Sequence, residues 1–567
     1  MNRRFCISGW ATLAGMWLSC VMVLGQAPDS RQREGLHESP PVFYVIRGAT
    51  IHVDPTTTIE NGSLLIRNTK IIEVGNQVDS PEGAIVVDAT GKHVYAGFID
   101  AFLPYGESTD PQKPGPRYWN ERIRPDTSIA ESYRPAGIRV DDLRRAGITA
   151  VNVAPRDGII RGHSAIVHVA DSGAEHLIVA SDVALVAELT VSRRGFAGAT
   201  PAAPGTSRYP SSPMGAYALA RQAFYDAQWY HQARQVSTTA QLEDVPEFNL
   251  SLERIRPGQG TPLLVQTMNE IAALRAGRFA KEFDLRLIVL GSGNEYRLMN
   301  ELKQLDCSWI LPVDFPAAPL VTEATAALDV TLEALMHWDH APENPNRLRE
   351  ANIPFSFSTL GLAKPADLLT NVRKAVRRGL DPDAALAALT VNPASLFNVS
   401  DRLGTLTPGK FASFLVFDKP VFEDDAKLLE SWTAGNRLVV ESVPVRAFAG
   451  LWRFESQDLE PAQFDVVVRG DTRLSGSVKP IAADGAAGDE TKVAAWTTRD
   501  SLISGSFDAA LWKGTGKAIL SFVLDQPEQA SGNVILPDGR MVPVAGVRTG
   551  DAPPEPQRSG RGGGRPE

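Results

Sequence analysis

The stretch GKHVYAGFIDAFLPYG, residues 91–106, marks a change of pattern along the chain. Before it, from about residue 42, apolar and polar residues alternate between turn signals, as in VFYVIRGATIHVD and GSLLIRNTKIIEVG. This period of two is typical of short, half-buried strands. After it, apolar strand-like runs alternate with helical ones. We therefore place a domain boundary within the stretch, near residue 96.

Residues 96–400 repeat a strand followed by a helix. The runs GITAVNVAP, TPLLVQT, LRLIVLG, SWILPVD and IPFSFST have strand character, and NEIAALRAGRFAKEF has helical character. About seven or eight such units predict an α/β fold, a (β/α)8 barrel. Residues 156–260 form a long insertion, whose Gly/Ala/Pro/Ser-rich centre is too long for a plain barrel connection. Both a lid over the barrel rim and a structureless surface loop fit this composition.

The strand pattern returns at residues 401–450, so we predict that they join residues 42–95 in one small β-sandwich domain. Residues 451–548 contain Gly-punctuated strands without helices, which indicates a separate C-terminal antiparallel β module. Residues 549–567, which include DAPPEPQRSGRGGGRPE and are rich in Pro, Gly and Arg, are expected to form a disordered tail.

The first 25 residues resemble a secretory signal, because two arginines precede an apolar stretch and a small-residue exit. A retained membrane anchor is the alternative, since the stretch is long enough to span a bilayer. Cleavage would remove Cys6 and Cys20, leaving Cys307 without an intrachain disulfide partner. We expect Sec-type export to the periplasm or the extracellular space, with no membrane attachment after cleavage. The formal charge of −9 over 567 residues argues against a nucleic-acid partner.

Three segments carry a resemblance to a known family: VVDATGKHVYAGFIDA at residues 86–101, APENPNRLREANIPFSF at 341–357, and GLDPDAALAALTVNPASLFNVSDRLGTLTPGKFASFLVFD at 379–418. Together they resemble the amidohydrolase superfamily, in its imidazolonepropionase-like and dihydroorotase-like branch, over about residues 42–450. The resemblance implies a (β/α)8 barrel that holds a divalent metal ion and hydrolyses non-peptide C–N bonds. In that chemistry a metal-bound hydroxide attacks, and an Asp at the end of the last barrel strand moves the proton.

The resemblance also implies where the metal ligands and the catalytic Asp should lie. In this sequence the positions are occupied by Phe102, Pro104, Gln266, Gly291 and Thr359. None of these side chains is a good ligand for zinc or a general base near neutral pH. We therefore expect a degenerate site with no metal cofactor, and the catalytic residues stay unknown.

Other residues could support an activity. His337, Asp339 and His340 lie together in LMHWDHAPENP, where two histidines three apart could share one helical face and bind zinc; a plain loop after a strand is the alternative. His163 follows a glycine near the barrel rim and could touch a ligand or simply occupy a turn. Asp314 and Glu323 could act as an acid and base pair at the rim, or as cap and surface charges.

Three functions follow as hypotheses. The first is an exported pseudoenzyme that binds a small-molecule ligand at the barrel mouth or serves as an assembly scaffold. The second is an active amidohydrolase with a non-standard site, which would use zinc. The third is an interaction protein that works through the C-terminal β module. A homo-oligomer or a protein partner is compatible with each of them.

Overall fold

The computed structural model describes residues 42–81, 84–106, 117–171, 177–190, 209–240, 245–258, 260–319, 328–441, 445–470, 474–482, 485–499, 502–512, 514–526 and 528–552. The chain divides into two compact units, Met1–Val42 and Phe43–Glu567, and the fold below is that of the second. The predicted signal at residues 1–25 and residues 553–567 of the predicted tail lie outside the described residues. The first residues of the predicted tail, Thr549 and Gly550, instead end the last strand, Met541–Gly550. No described helix is long and apolar enough to cross a membrane.

Eight strands form a nearly closed, barrel-like sheet in which sequence order is also spatial order. The residues on one face of these strands fill the interior of the barrel, and those on the other face pack under helices. The strands are β6 Phe98–Tyr105, β7 Ile148–Pro155, β8 Ile160–His168, β9 Ile178–Ala187, β10 Leu263–Gln266, β11 Leu287–Leu290, β12 Ser308–Pro312 and β13 Phe355–Ser358.

The prediction of a barrel sheet is confirmed, but the expectation of parallel strands throughout needs a correction. Strand β8 is antiparallel to both β7 and β9, whereas β9–β13 run parallel to one another and β6 runs parallel to β7. Only residues 156–159 separate β7 from β8, which is too short for a helical crossover, so the chain turns back as a hairpin. The first part of the predicted insertion, residues 156–260, therefore contains two barrel strands, β8 and β9.

Helices surround the barrel sheet, and their ends follow ordinary capping rules. Asn269 accepts a hydrogen bond from Ala272 N, and Asp381 accepts from the N–H groups of Asp383 and Ala384. The helices are α1 Ile129–Ser132, α2 Val140–Arg145, α3 Pro213–Ala240, α4 Leu250–Arg254, α5 Glu270–Glu282, α6 Met299–Leu302, α7 Leu332–His340, α8 Asn344–Glu350, α9 Asp367–Arg377, α10 Pro382–Leu389 and α11 Val391–Leu396.

The interior of the barrel is apolar. Ile99, Leu264 and Ile288 belong to a buried cluster that also contains Phe397 and Phe411 from the segment that follows the last helices. Such side chains exclude water from the middle of the barrel. Among the described residues the interior is therefore packed, and the cavity that suits a ligand opens near the ends of the strands.

Both flanks of the barrel domain contribute to a second, eight-stranded sheet in which β14 pairs with β5. Its buried side includes Trp432, which stacks on Phe414 with ring centroids 5.0 Å apart. The strands are β1 Phe43–His52, β2 Thr58–Arg67, β3 Lys70–Gly75, β4 Ile85–Asp88, β5 His93–Ala96, β14 Phe414–Phe417, β15 Leu428–Thr433 and β16 Asn436–Val439.

A nine-stranded antiparallel sheet begins at Gly450 and encloses its own apolar core, which contains Trp452, Phe464 and Phe522. Its first strand pairs with its last, so the sheet order does not follow the chain. The strands are β17 Gly450–Glu455, β18 Gln463–Arg469, β19 Ser475–Ile481, β20 Thr491–Lys492, β21 Ala495–Arg499, β22 Leu502–Asp508, β23 Lys517–Gln526, β24 Gln529–Ile535 and β25 Met541–Gly550.

Candidate ligand site at the barrel mouth

The two positions at which the family resemblance implies first-strand metal ligands lie on β6, the strand that opens the barrel. Phe102 is fully buried and joins the apolar interior, and Pro104 lies two residues further along the same strand. A phenyl ring and a pyrrolidine ring have no lone pair to offer a cation. These two positions therefore serve packing and strand geometry.

The end of the last barrel strand is tied to β6 by hydrogen bonds. Asp100 accepts from the backbone N–H of Phe102 (3.1 Å) and of Thr359 (3.2 Å), and from the Thr359 hydroxyl. Ser358 Oγ donates to the carbonyl of Phe102 at 2.7 Å. Burial raises the pKa of Asp100 to about 6, although these hydrogen bonds oppose the shift. The carboxylate thus connects the end of the last barrel strand, β13, to the first, β6, and we call this junction the seam of the barrel.

Gln266, at the end of β10, lies beside a buried cation. Its Oε1 accepts a hydrogen bond of 2.8 Å from Arg161 Nη1, and the same guanidinium is ion-paired with Glu188. Arg161 is only 5% exposed. A divalent ion at Gln266 would stand next to this positive charge, which disfavours its binding.

Gly291, at the end of β11, has no room for a side chain. A Cβ there would collide with Oε1 of Glu295, a buried carboxylate that accepts hydrogen bonds from Ser292 N (2.6 Å), Gly293 N (3.1 Å) and Asn344 Nδ2 (2.6 Å). Burial raises the pKa of Glu295. The sequence analysis missed Glu295, which follows Gly291 by four residues and fixes this loop.

The five positions do not supply the nitrogen, sulfur or carboxylate donors that zinc requires. Across the ranges that the structure describes, no three His, Cys, Asp or Glu side chains come close enough together to hold a metal ion. The metal centre that the family resemblance implies therefore does not fit the residues found here.

His337 and His340 lie on α7 and turn towards the ring of Tyr296, whose centroid is 6.1 Å and 5.6 Å from theirs. Nδ1 of His337 is 3.2 Å from the Tyr296 hydroxyl, and Nδ1 of His340 accepts from Arg347 Nη2 at 3.0 Å. The prediction that they share a helical face is consistent with this placement. However, Nδ1 of each ring already faces a phenol or a guanidinium, which leaves only the Nε2 atoms to bind zinc.

The carboxylates beside these histidines are also engaged. Asp339 is 2.5 Å from Arg378, which in turn lies 2.9 Å from Glu343. A cation would have to displace arginine from both carboxylates. The cluster is therefore an ion-pair network on the helical layer.

His163 does not occupy a turn at the rim, because it lies within β8. It is 5% exposed, and its Nδ1 is 3.0 Å from the carbonyl of Pro125. Burial, followed by the charge of Arg254, lowers its pKa to about 4. The neutral ring therefore donates to that carbonyl and supports the segment that contains Pro125.

Of the two predicted rim carboxylates, Asp314 follows β12 and Glu323 lies outside the described residues. The carboxylate of Asp314 occupies the space next to Gly361, just beyond the last barrel strand. Asp314 as a whole is exposed to solvent. Neighbouring atoms nevertheless bury part of its carboxyl group, and this burial raises the pKa of Asp314. The structure thus brings Asp314 to the mouth, but it does not test the proposed pair.

A cavity of about 760 Å³ opens beside Arg161. Three elements enclose it: the segment 117–126, the β7–β8 hairpin and the chain that follows β9. Its charged lining consists of Arg117, Glu121, Arg122, Arg124, Asp126, Arg156, Asp157, Arg161 and Glu188. A volume of this size suits a small-molecule ligand. The sequence analysis did not identify this cavity, although RYWNERIRPD at residues 117–126 is notably rich in arginine.

The amidohydrolase family profile matches residues 339–452. A solved amidohydrolase from Thermotoga maritima superposes with a TM-score of 0.56 at 20% identity, covering 70% of this chain and 99% of that one. Over residues 339–452 the chain is thus similar to the amidohydrolase family. At this identity the Thermotoga structure establishes the fold only.

Two further similarities are narrower. An adenine deaminase from Rubrobacter xylanophilus is 35% identical over 77 residues, which is 13% of this chain and 13% of that protein. A Xaa-Pro dipeptidase with bound methionine in its active site gives a TM-score of 0.40 at 12% identity, covering 70% of this chain and all of that one. Because these matches are short or distant, they do not assign a substrate.

Proposed function

We propose that this chain is an exported, amidohydrolase-like pseudoenzyme that binds a small molecule at its barrel mouth without metal-hydroxide catalysis. The observation that supports this most is the hydrogen bonding of Asp100 to Thr359. In this chain Thr359 stands where the family resemblance expects the catalytic Asp, and a hydroxyl cannot act as a general base near neutral pH.

The cavity beside Arg161 supports the binding part of the proposal. Arg161 and Gln266 connect the cavity to the end of the barrel, and the ion pair with Glu188 fixes the guanidinium in place. Polar groups that are held rigidly bind a ligand with little ordering cost. Binding therefore needs only this chain's own side chains, with no proton or hydroxide to deliver.

The metal content of the purified, full-length protein tests the proposal. We expect less than about 0.1 equivalent of zinc, and we expect ligand binding to survive treatment with a chelator. One or two equivalents of tightly held zinc that disappear in the double variant His337→Gln/His340→Gln would overturn it. His231→Gln is the matched control, since this histidine contacts the carbonyl of Ile255 outside the cluster.

One observation favours the alternative of an active amidohydrolase with a non-standard site. Asp314 lies at the mouth with a raised pKa, as a general acid would require. Hydrolysis of cyclic amides such as hydantoin and dihydrouracil, measured at pH 6–8, separates the two functions. Turnover that is lost in Asp314→Asn would support the alternative, and the absence of turnover supports the pseudoenzyme.

A further inference from the structure

We infer that the cavity beside Arg161 selects small molecules that carry a carboxylate group next to a flat apolar part. The inference rests on the proposed function, because it names the ligand class of the same site. It is drawn from the charges, the free donor atoms and the rigidity of the cavity lining.

The first argument is the balance of charge. Five arginines and four carboxylates line the cavity, so it has one more positive than negative group. The chain as a whole has a formal charge of −9. A positive cavity in an acidic protein favours an anion, and an excess of one charge matches a monocarboxylate better than a dianion.

The second argument is that guanidinium donors remain without partners. Arg161 uses Nη1 for Gln266 and Nη2 for Glu188, but its buried Nε has no hydrogen-bond partner within the described part of the chain. The buried Nη2 of Arg117 also has no hydrogen-bond partner there, although Arg117 Nε lies 3.2 Å from Asp126. Both unpartnered atoms are shielded from solvent, so a ligand in the cavity would contact exposed guanidinium groups such as that of Arg156, and a carboxylate oxygen is the acceptor that a guanidinium binds best.

Two more arginines at the cavity are not committed elsewhere. Neither Arg124 nor Arg156 forms an ion pair with any carboxylate in the described ranges, and Arg156 is exposed on the β7–β8 hairpin. Arg122, in contrast, already donates to the carbonyl of Pro210 at 3.0 Å. Arg124 and Arg156 can therefore respond to a ligand without breaking an ion pair.

The flat apolar part of the ligand is argued from Trp119. This side chain lines the same cavity and is 60% exposed, which is unusual for such a large apolar ring. An indole face at a binding site stacks on planar groups of a ligand. It also suits a ligand that has both a planar apolar part and a polar group that binds guanidinium. A carboxylate attached to an aromatic or planar amide group would use both Trp119 and the arginines.

The cavity wall is fixed before a ligand arrives. Ile123 pairs with Ile160 of β8, Asp126 accepts from Ser251 Oγ at 3.0 Å, and the Tyr118 hydroxyl donates to Asp226 of α3 at 2.8 Å. These contacts attach the segment to the barrel, to α4 and to α3 at once. The backbone that carries Arg117, Arg122 and Arg124 thus keeps its position, which favours selective recognition of one group.

The test compares an acid with its uncharged amide by isothermal calorimetry of the full-length protein: N-benzoylglycine against N-benzoylglycinamide. We expect the acid to bind at least about tenfold more tightly, as loss of one charge-assisted hydrogen bond predicts. We also expect Arg124→Gln and Arg156→Gln each to weaken the acid about threefold to tenfold while leaving the amide unchanged. Arg278→Gln, an exposed arginine on α5, is the control and should change neither affinity.

The outcomes distinguish the two proposals. Equal binding of acid and amide, or no binding of N-benzoylglycine or benzoate, would overturn the carboxylate inference and leave the metal-free function in place. Binding of the acid that is abolished by a chelator and restored by zinc would overturn the proposed function instead. Acid-selective, chelator-resistant binding that depends on Arg124 and Arg156 supports both.

Discussion

Replacing Asp100 by Asn should stabilise the barrel at high pH and change little at low pH. Asp100 is 2% exposed, and burial raises its pKa from 3.8 to about 6. A raised carboxyl pKa means that the folded state holds its proton more tightly than the unfolded chain does. The resulting stability is fully present below pH 3.8 and is lost as the pH rises through about 6.

The size of the effect follows from the shift. Moving this pKa from 3.8 to about 6 corresponds to about 3 kcal/mol of unfolding free energy between the two ends of the titration. An amide cannot ionise and so avoids that loss. Its oxygen can still accept from the N–H groups of Phe102 and Thr359, while its NH₂ donates to the Thr359 hydroxyl.

The assay is urea unfolding followed by near-ultraviolet circular dichroism at pH 4, 6 and 8. For Asp100→Asn we expect the free energy of unfolding to equal that of the wild type at pH 4 and to exceed it by about 3 kcal/mol at pH 8. Asp100→Ala should lose about 2 kcal/mol or more at pH 4, because two buried N–H groups lose their acceptor, and its stability relative to the wild type should improve by about 3 kcal/mol towards pH 8, because alanine cannot ionise either. Asp458→Asn, at an exposed site in the C-terminal module, is the control. An Asn variant that is less stable than the wild type at pH 8 would refute the reasoning.

Three further predictions concern the same domain. His163 has a pKa of about 4 when folded and 6.5 when unfolded, so stability should fall by about 3 kcal/mol as the pH drops from 6.5 towards 4, and His163→Gln should flatten that slope in urea titrations. Gly162→Ala should lower the free energy of unfolding by about 3 kcal/mol, because Gly162 has a φ of 118° and a Cβ would meet a backbone carbonyl. Gly258→Ala should lower it by only about 1 kcal/mol, because Gly258 has a φ of 76° and open space around it. Equal melting temperatures for the two variants would contradict this. Ser358→Ala should lose about 1–3 kcal/mol by breaking the bond to the Phe102 carbonyl, measured by the same unfolding assay; an unchanged transition would mean that the seam does not depend on that hydroxyl.

The main elements of the fold could be predicted because they depend on local periodicity. TPLLVQT and LRLIVLG are short apolar runs followed by helical patterns, and the structure has β10 and β11 followed by helical segments there. The reversal of β8 could not be predicted in this way. Its sequence, IRGHSAIVH, has strand character in either direction, and only the four residues before it show that a crossover is impossible.

The candidate site was harder to predict, for a different physical reason. The positions at which the family resemblance implies metal ligands and the catalytic Asp could be found from single motifs. Phe102 and Thr359, for example, each follow a segment that resembles the family. The cavity, in contrast, is assembled from Arg117, Arg161 and Glu188, which lie far apart in the chain and meet only after folding. Likewise, the pairing of His340 with Arg347 depends on how α7 meets α8, which spacing alone does not decide.

The pairing of β17 with β25 has a practical consequence for dissecting the protein. Leu451 lies opposite Gly550, so the chain enters and leaves the nine-stranded sheet at neighbouring points. No strand of that sheet belongs to the other two sheets. Truncation after residue 449 would therefore remove the whole nine-stranded sheet without removing a strand from the barrel. If the truncated protein is soluble, comparing it with the full-length protein would show which part carries each activity.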